Sequence, residues 1–100
     1  MIRHIVVFKL VSSGTPQASP DAEHIRRELL PLVHSVPHVE HMEIGRDLGS
    51  VRSHWDVVLV SHHASEQELE AYQQHPAHVA AVNAINPVIE ARAVVDYLVE

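Results

Sequence analysis

The chain contains no cysteine. Disulfides, thiolate metal sites and a cysteine nucleophile are therefore excluded, and the absence fits a reducing compartment. Aromatic residues are scarce: one Trp, one Phe and two Tyr in 100 residues, so an apolar core has to be mainly aliphatic. Positive charge is scarce as well. Seven scattered Lys and Arg stand against thirteen Asp and Glu, for a formal charge of −6. Phosphate binding needs a clustered basic surface, so nucleic acid is not an expected partner. Long apolar runs are missing. The most apolar opening stretch, "IRHIVVFKLV" (2–11), is short and interrupted by Arg3, His4 and Lys9. It has neither the basic leader nor the cleavage site of a signal peptide, and it cannot span a bilayer. The expectation is a soluble, cytoplasmic protein without a membrane partner.

What the chain has in excess is histidine, with ten copies. Each imidazole can gain charge between about pH 7 and pH 5. One hundred residues make one compact domain, and so small a domain exposes much of its surface, which favours oligomerisation.

Periodicity gives the element order. "IRHIVVFKLV" alternates Ile2, His4, Val6, Phe8 and Leu10 with Arg3, Ile5, Val7, Lys9 and Val11, a strand apolar on both faces. A loop follows, with Ser19 expected as N-cap, Pro20 in the first turn and Asp21 and Glu23 suited to the helix dipole. The helix carries Ala22, Ile25, Leu29, Leu32, Val33 and Val36 on one stripe, and Pro31 bends or divides it. "HVEHMEIGRDL" (38–48) reads as a weaker strand and "SHWDVVLVSHH" (53–63) as the strongest one. "ASEQELEAYQQH" (64–75) is a short helix with a Ser65–Glu68 capping box. Pro76 ends it and opens a second helix, "AHVAAVNAI", and Asn86-Pro87 turns the chain into a closing strand over 91–100. The order β-α-β-β-α-(α)-β is that of an α+β, ferredoxin-like fold with a four-stranded antiparallel sheet. Helices cover one sheet face, and the other, also apolar, predicts a homodimeric α+β barrel. Histidines buried neutral at such an interface would weaken the dimer on acidification.

Polar residues interrupt the apolar faces at chosen places. His4 shares a face with Val6 and Phe8, Asp96 shares one with Arg92 and Val94, and Asp56 shares one with Val58 and Val60. If these faces coincide, His4, Asp56 and Asp96 form either an internal hydrogen-bond network or the orienting groups of an aliphatic pocket. "AYQQHPAHVAAV" (71–82) adds Tyr72, His75 and His78 around a proline. The bland reading makes His75 a helix cap and leaves His78 exposed. The sharper one has the break at Pro76 turn His78 inward. A metal would need His75 and His78 together with a carboxylate such as Asp56 or Asp96, and HxxH without a fixed, supported third ligand is weak evidence, so no metal is expected. His62 and His63 point to opposite strand faces and cannot share a site within one chain. "GRDLG" (45–49) has glycines but no following helix, so it is no phosphate loop and no cofactor is called for.

The segments "MIRHIVVFKL", "EIGRDL", "WDVVLVSHHASEQELEAYQQHPAHVAAV" and "VVDYLV" together resemble the stress-responsive A/B barrel (Dabb) family, over one domain at residues 2–99. The resemblance implies a ferredoxin-like fold paired into a homodimeric barrel. Some members are polyketide cyclases, the plant olivetolic acid cyclase among them, which close a poly-β-keto chain by aldol condensation. Similarity to that cyclase in "YxxHPAHV" makes Tyr72 and His78 its catalytic tyrosine and histidine, His4 a pocket histidine and Asp96 a pocket aspartate. Asp56 stands where the cyclase has a further pocket histidine, and "VAAVNA" (79–84) is smaller and more aliphatic than its counterpart. The implied roles are His78 as base, Asp96 orienting its imidazole, and Tyr72 donating to the developing oxyanion. His4, Val6, Phe8, Asp56, Val58 and Val94 then hold a small, mostly apolar carbonyl ligand in the barrel. The alternatives are a non-catalytic stress-associated interaction protein and a monooxygenase of the wider dimeric barrel group.

Overall fold

A computed structural model describes residues 1–100. Four strands, β1 (Ile2–Leu10), β2 (His41–Arg46), β3 (Val57–His63) and β4 (Ile89–Leu98), form one antiparallel sheet in the order β2-β3-β1-β4. Helices α1 (Ala18–Leu29), α2 (Leu32–Ser35), α3 (Glu66–Gln74) and α4 (Pro76–Ile85) cover one face, and a 3₁₀ turn over Asn86–Val88 leads into β4. No helix is long and apolar enough to cross a membrane.

The two faces of β1 have different fates. Ile2, His4, Val6, Phe8 and Leu10 are buried beneath the helices, whereas Arg3, Ile5, Val7 and Lys9 are half-buried on the open side. The core joins the helix-side strand residues to Ile25, Leu29 and Leu32 of the first helical stretch and to Leu69, Tyr72 and Ile85. Burying side chains of this size contributes about 1.5–3 kcal/mol each. Pro31 divides α1 from α2: it has no N–H to continue the ladder, and it sits at the N-cap of the second piece.

Register decides which residues share the helix side. His4 lies opposite Ser61 on β3 and Asp96 on β4, Val6 opposite Leu59 and Val94, and Phe8 opposite Val57 and Arg92. The inward residues of β3 are thus Val57, Leu59, Ser61 and His63, with Val58 and Val60 on the open side. This corrects the expectation for Val58 and Asp56. Val58 pairs with Val7 on the far face. Asp56 precedes the strand, and its carboxylate accepts from the Leu10 N–H at 2.9 Å and the Ser13 hydroxyl at 3.0 Å. It pins the loop after β1 and does not face the helices.

The start of α1 is corrected too. Gln17 stands at the N-cap with helical backbone angles, and Ser19 lies inside the first turn. Side-chain capping needs an extended N-cap residue. Here the Thr15–Ala18 turn runs straight into the helix. Asp21 fixes that turn by accepting from Ser12 at 2.7 Å and Gln17 at 3.0 Å, and the Ser19 hydroxyl accepts from Arg46 at 2.6 Å. In the loop between β2 and β3, Asp47 accepts from the N–H of Gly49 at 2.8 Å, and Gly49 takes φ +82°, a conformation that favours glycine.

Candidate functional site

The junction of α3 and α4 is built by two caps. Ser65 accepts from the Glu68 N–H at 3.2 Å and starts α3. His75 ends α3 in an extended conformation, and its Nδ1 accepts from the Ala77 N–H at 3.1 Å, so it becomes the N-cap of α4 with Pro76 at the first position. The Glu68 carboxylate does not close the capping box; it accepts from His38 Nδ1 at 2.9 Å. The sharp change of direction at His75–Pro76 brings His78 back over the end of α3. Its ring lies 4.6 Å from that of Tyr72, centroid to centroid, with the planes inclined by 58°.

The tautomer of His78 follows from its partner. Nδ1 lies 3.0 Å from the Gln73 carbonyl oxygen, which can only accept, so Nδ1 carries the proton and Nε2 presents a lone pair. Burial holds His78 below the usual imidazole range, partly offset by the Gln73 carbonyl, with His4 and His63 adding to the lowering. Tyr72 is only 1% exposed, and burial pushes its phenol well above the usual range. The hydroxyl stays protonated at neutral pH. No buried polar side-chain atom is left enclosed without a partner. The Tyr72 hydroxyl, which bonds to no group of the chain, therefore opens onto the cavity that Tyr72 lines.

Beneath this pair lies a second polar chain. His4 Nδ1 donates to the Asp96 carboxylate directly across the β1–β4 ladder. His63 Nδ1 donates to the His38 carbonyl at 2.8 Å, and the Ser61 hydroxyl donates to His63 Nε2 at 2.8 Å. The His63 ring is fully buried, 4.9 Å from Tyr72 and 6.1 Å from His4. Burial likewise lowers the His63 pKa.

These groups border a cavity of about 200 Å³ between the helices and the sheet. His4, Tyr72 and His78 supply its polar wall. Val6, Phe8, Leu59, Val82 and Val94 line it with aliphatic and aromatic surface, and Arg92 and Gln73 also border it. Of the residues expected from sequence, His4, Val6, Phe8, Tyr72, His78 and Val94 meet at this cavity, and Asp96 reaches it through His4. Asp56 and Val58 do not. Two placements differ from expectation. The cavity lies inside one chain, on the helix side, and not between two paired sheets. Asp96 orients His4, not His78, because it stands opposite His4 in the register. No three His, Asp or Glu side chains converge as a metal would require: His75 is spent on its cap and His78 on Gln73.

Three residues escaped the sequence reading. His63 shares strand parity with Ser61 and was visible as the inward member of the His62–His63 pair. Arg92 shares a face with Asp96, the signal that would have added it. Gln73 acts through its backbone carbonyl, which leaves no trace in residue type.

The family model described as Stress Responsive A/B Barrel Domain matches residues 2–99. Among solved structures, a dimeric ferredoxin-like protein of unknown function from Thermobifida fusca is 31% identical, with a TM-score of 0.81, over 98% of this chain and 90% of that one. A dimeric protein of unknown function and ferredoxin-like fold from Bacteroides fragilis is 26% identical, with a TM-score of 0.85, over 96% and 93%. A hydroxynitrile lyase from Passiflora edulis is 19% identical, with a TM-score of 0.80, over 99% and 93%; at that identity it shares the fold alone. No curated protein matches the chain.

Proposed function

The chain belongs to the stress responsive A/B barrel domain family, and on that premise we propose that it binds a small, mostly apolar carbonyl compound between its helices and sheet and moves a proton next to the carbonyl, as a polyketide cyclase does. One observation carries this reading: a neutral His78 with its Nε2 lone pair free stands against a protonated Tyr72 hydroxyl over an aliphatic cavity. His78 Nε2 takes a proton from the carbon α to the carbonyl, and the C–H electron pair passes into the enolate. Tyr72 donates to the enolate oxygen. The imidazolium then returns the proton to the α carbon; on a ligand with a second carbonyl, the enolate carbon attacks that carbonyl instead and the imidazolium returns the proton to the new alkoxide. His4, held by Asp96, positions the ligand from the sheet side. The half-buried open sheet face and the dimeric relatives support a homodimer in which two such faces meet.

The test is deuterium wash-in at the α carbons of 2-pentanone, followed by NMR in D₂O. The protein should accelerate exchange, His78→Ala should reduce the acceleration by about 100-fold or more, and Tyr72→Phe by about tenfold or more. Equal exchange by wild type and His78→Ala overturns the reading. The competing assignment, a non-catalytic interaction protein, draws on the internal satisfaction of the Asp96–His4 and Ser61–His63–His38 contacts. It is favoured if neither substitution changes exchange while both lower the melting temperature.

A further inference from the structure

The far end of the same cavity is bordered by Arg92. Its guanidinium lies 5.9 Å from the centroid of the buried Phe8 ring and donates to the Asn86 side-chain oxygen at 2.5 Å. Both contacts fix the group, and neither neutralises it. The nearest carboxylates along β4 are committed elsewhere: Glu90 to Lys9 at 2.9 Å and Asp96 to His4. Arg92 is thus an exposed guanidinium, held at the rim of an apolar cavity and free of any carboxylate partner. Guanidinium binds carboxylate through two parallel N–H donors, the strongest of the common charge-assisted pairings.

We propose that the ligand is a short-chain oxo carboxylate, with its acid group on Arg92 and its ketone between His78, Tyr72 and His4. The proposal rests on the carbonyl reading above and adds the second functional group. Arg92 and His4, which stands opposite Asp96, are four positions apart along the β1–β4 ladder, about 13 Å of strand, and both border the cavity. The intervening wall is Val94 and Val6, which suits a methylene spacer. The cavity of about 200 Å³ is roomy enough for a small oxo acid. Asn86, on the 3₁₀ turn before β4, holds one edge of the exposed guanidinium at the cavity rim.

Titrations of the intact protein with 4-oxopentanoate, 2-pentanone and pentanoate, read from imidazole and guanidinium NMR signals, test this. The oxo acid should bind at least about tenfold more tightly than either single-function analogue, and added salt should weaken the oxo acid but not 2-pentanone. Arg92→Gln should erase the advantage of the oxo acid over 2-pentanone. Arg92→Lys should retain part of that advantage, which separates lost recognition from a fold defect. An oxo acid that keeps its advantage in Arg92→Gln, or that binds wild type no better than 2-pentanone, overturns the carboxylate proposal and leaves the carbonyl reading standing. Pentanoate binding as tightly as the oxo acid, or no shift of the His4 and His78 signals with either ketone, overturns both.

Discussion

His63 is a buried imidazole with both nitrogens committed, one to a hydroxyl and one to a main-chain carbonyl. Protonation would force Nε2 to donate where it now accepts, with His4 6.1 Å away, Asp96 beyond it, Tyr72 on the helix side and His62 next in the chain. Burial places its folded value below the ordinary 6.5, so between the two values the unfolded chain holds a proton that the folded chain does not. Stability from this residue is complete above about pH 6.5 and is lost as pH falls through the folded value; half-buried His78 has the same sign. In urea titrations, His63→Phe should cost about 1–3 kcal/mol at pH 7.5 by stranding Ser61 and the His38 carbonyl, yet lose less than wild type between pH 7.5 and 5.5. An equal acid loss in both proteins would remove His63 as its source. At this scale the sequence revealed residue types but not partners. Asp96 reads as a carboxylate near a histidine, and only the strand register assigns it to His4 and not to His78. The Gln73 carbonyl that sets the His78 tautomer belongs to the backbone, which every residue carries alike.

Among the elements, the α3–α4 corner was the most legible, because its causes are local. Ser65, His75 and Pro76 each act within three residues of their own position, and Pro31 splits the first helix by the same short-range logic. The alternation of β1 was legible because His4 and Arg3 mark its two faces. The parity of β3 was not. Val57, Val58, Leu59 and Val60 are apolar in succession, so period-two patterning cannot say which pair is inward; the pairing with β1 decides. The start of α1 was misread for a related reason: a serine before a helix predicts a cap only if its backbone is extended, and a preceding turn removed that condition. Because His75 both ends α3 and caps α4, His75→Ala should cost about 1 kcal/mol in a denaturant melt and should also shift the His78 imidazole resonances relative to wild type. A stability loss with unmoved His78 signals would mean that Pro76 alone sets the corner.

Helices cover one side of β1, β2 and β3 and leave the other open, while β4 is largely exposed on both faces. Arg3, His41 and His62 gather on the open side: Arg3 donates to His62 at 3.2 Å and to the Tyr97 hydroxyl at 2.6 Å, and the His41 and His62 rings are 4.9 Å apart. Burial, then Arg3 and His41, lowers the His62 pKa, while Glu40 and Glu43 pull the other way. Acidification through that value adds a proton beside a guanidinium on the open face, where the proposed homodimer would form. Sedimentation should show the dimer dissociation constant rising between pH 7.5 and 5; an unchanged dimer over that range would exclude this cluster as an interface charge. β4 belongs to both sides of the sheet. Arg92 and Val94 border the cavity, and Ala93, Val95 and Tyr97 stand on the other face. A strand one residue thick cannot shift for one side alone. The proposed dimer and the proposed ligand would both bear on this one strand, and any free energy that one lends the other is returned in equal measure. Ligand affinity would then depend on protein concentration.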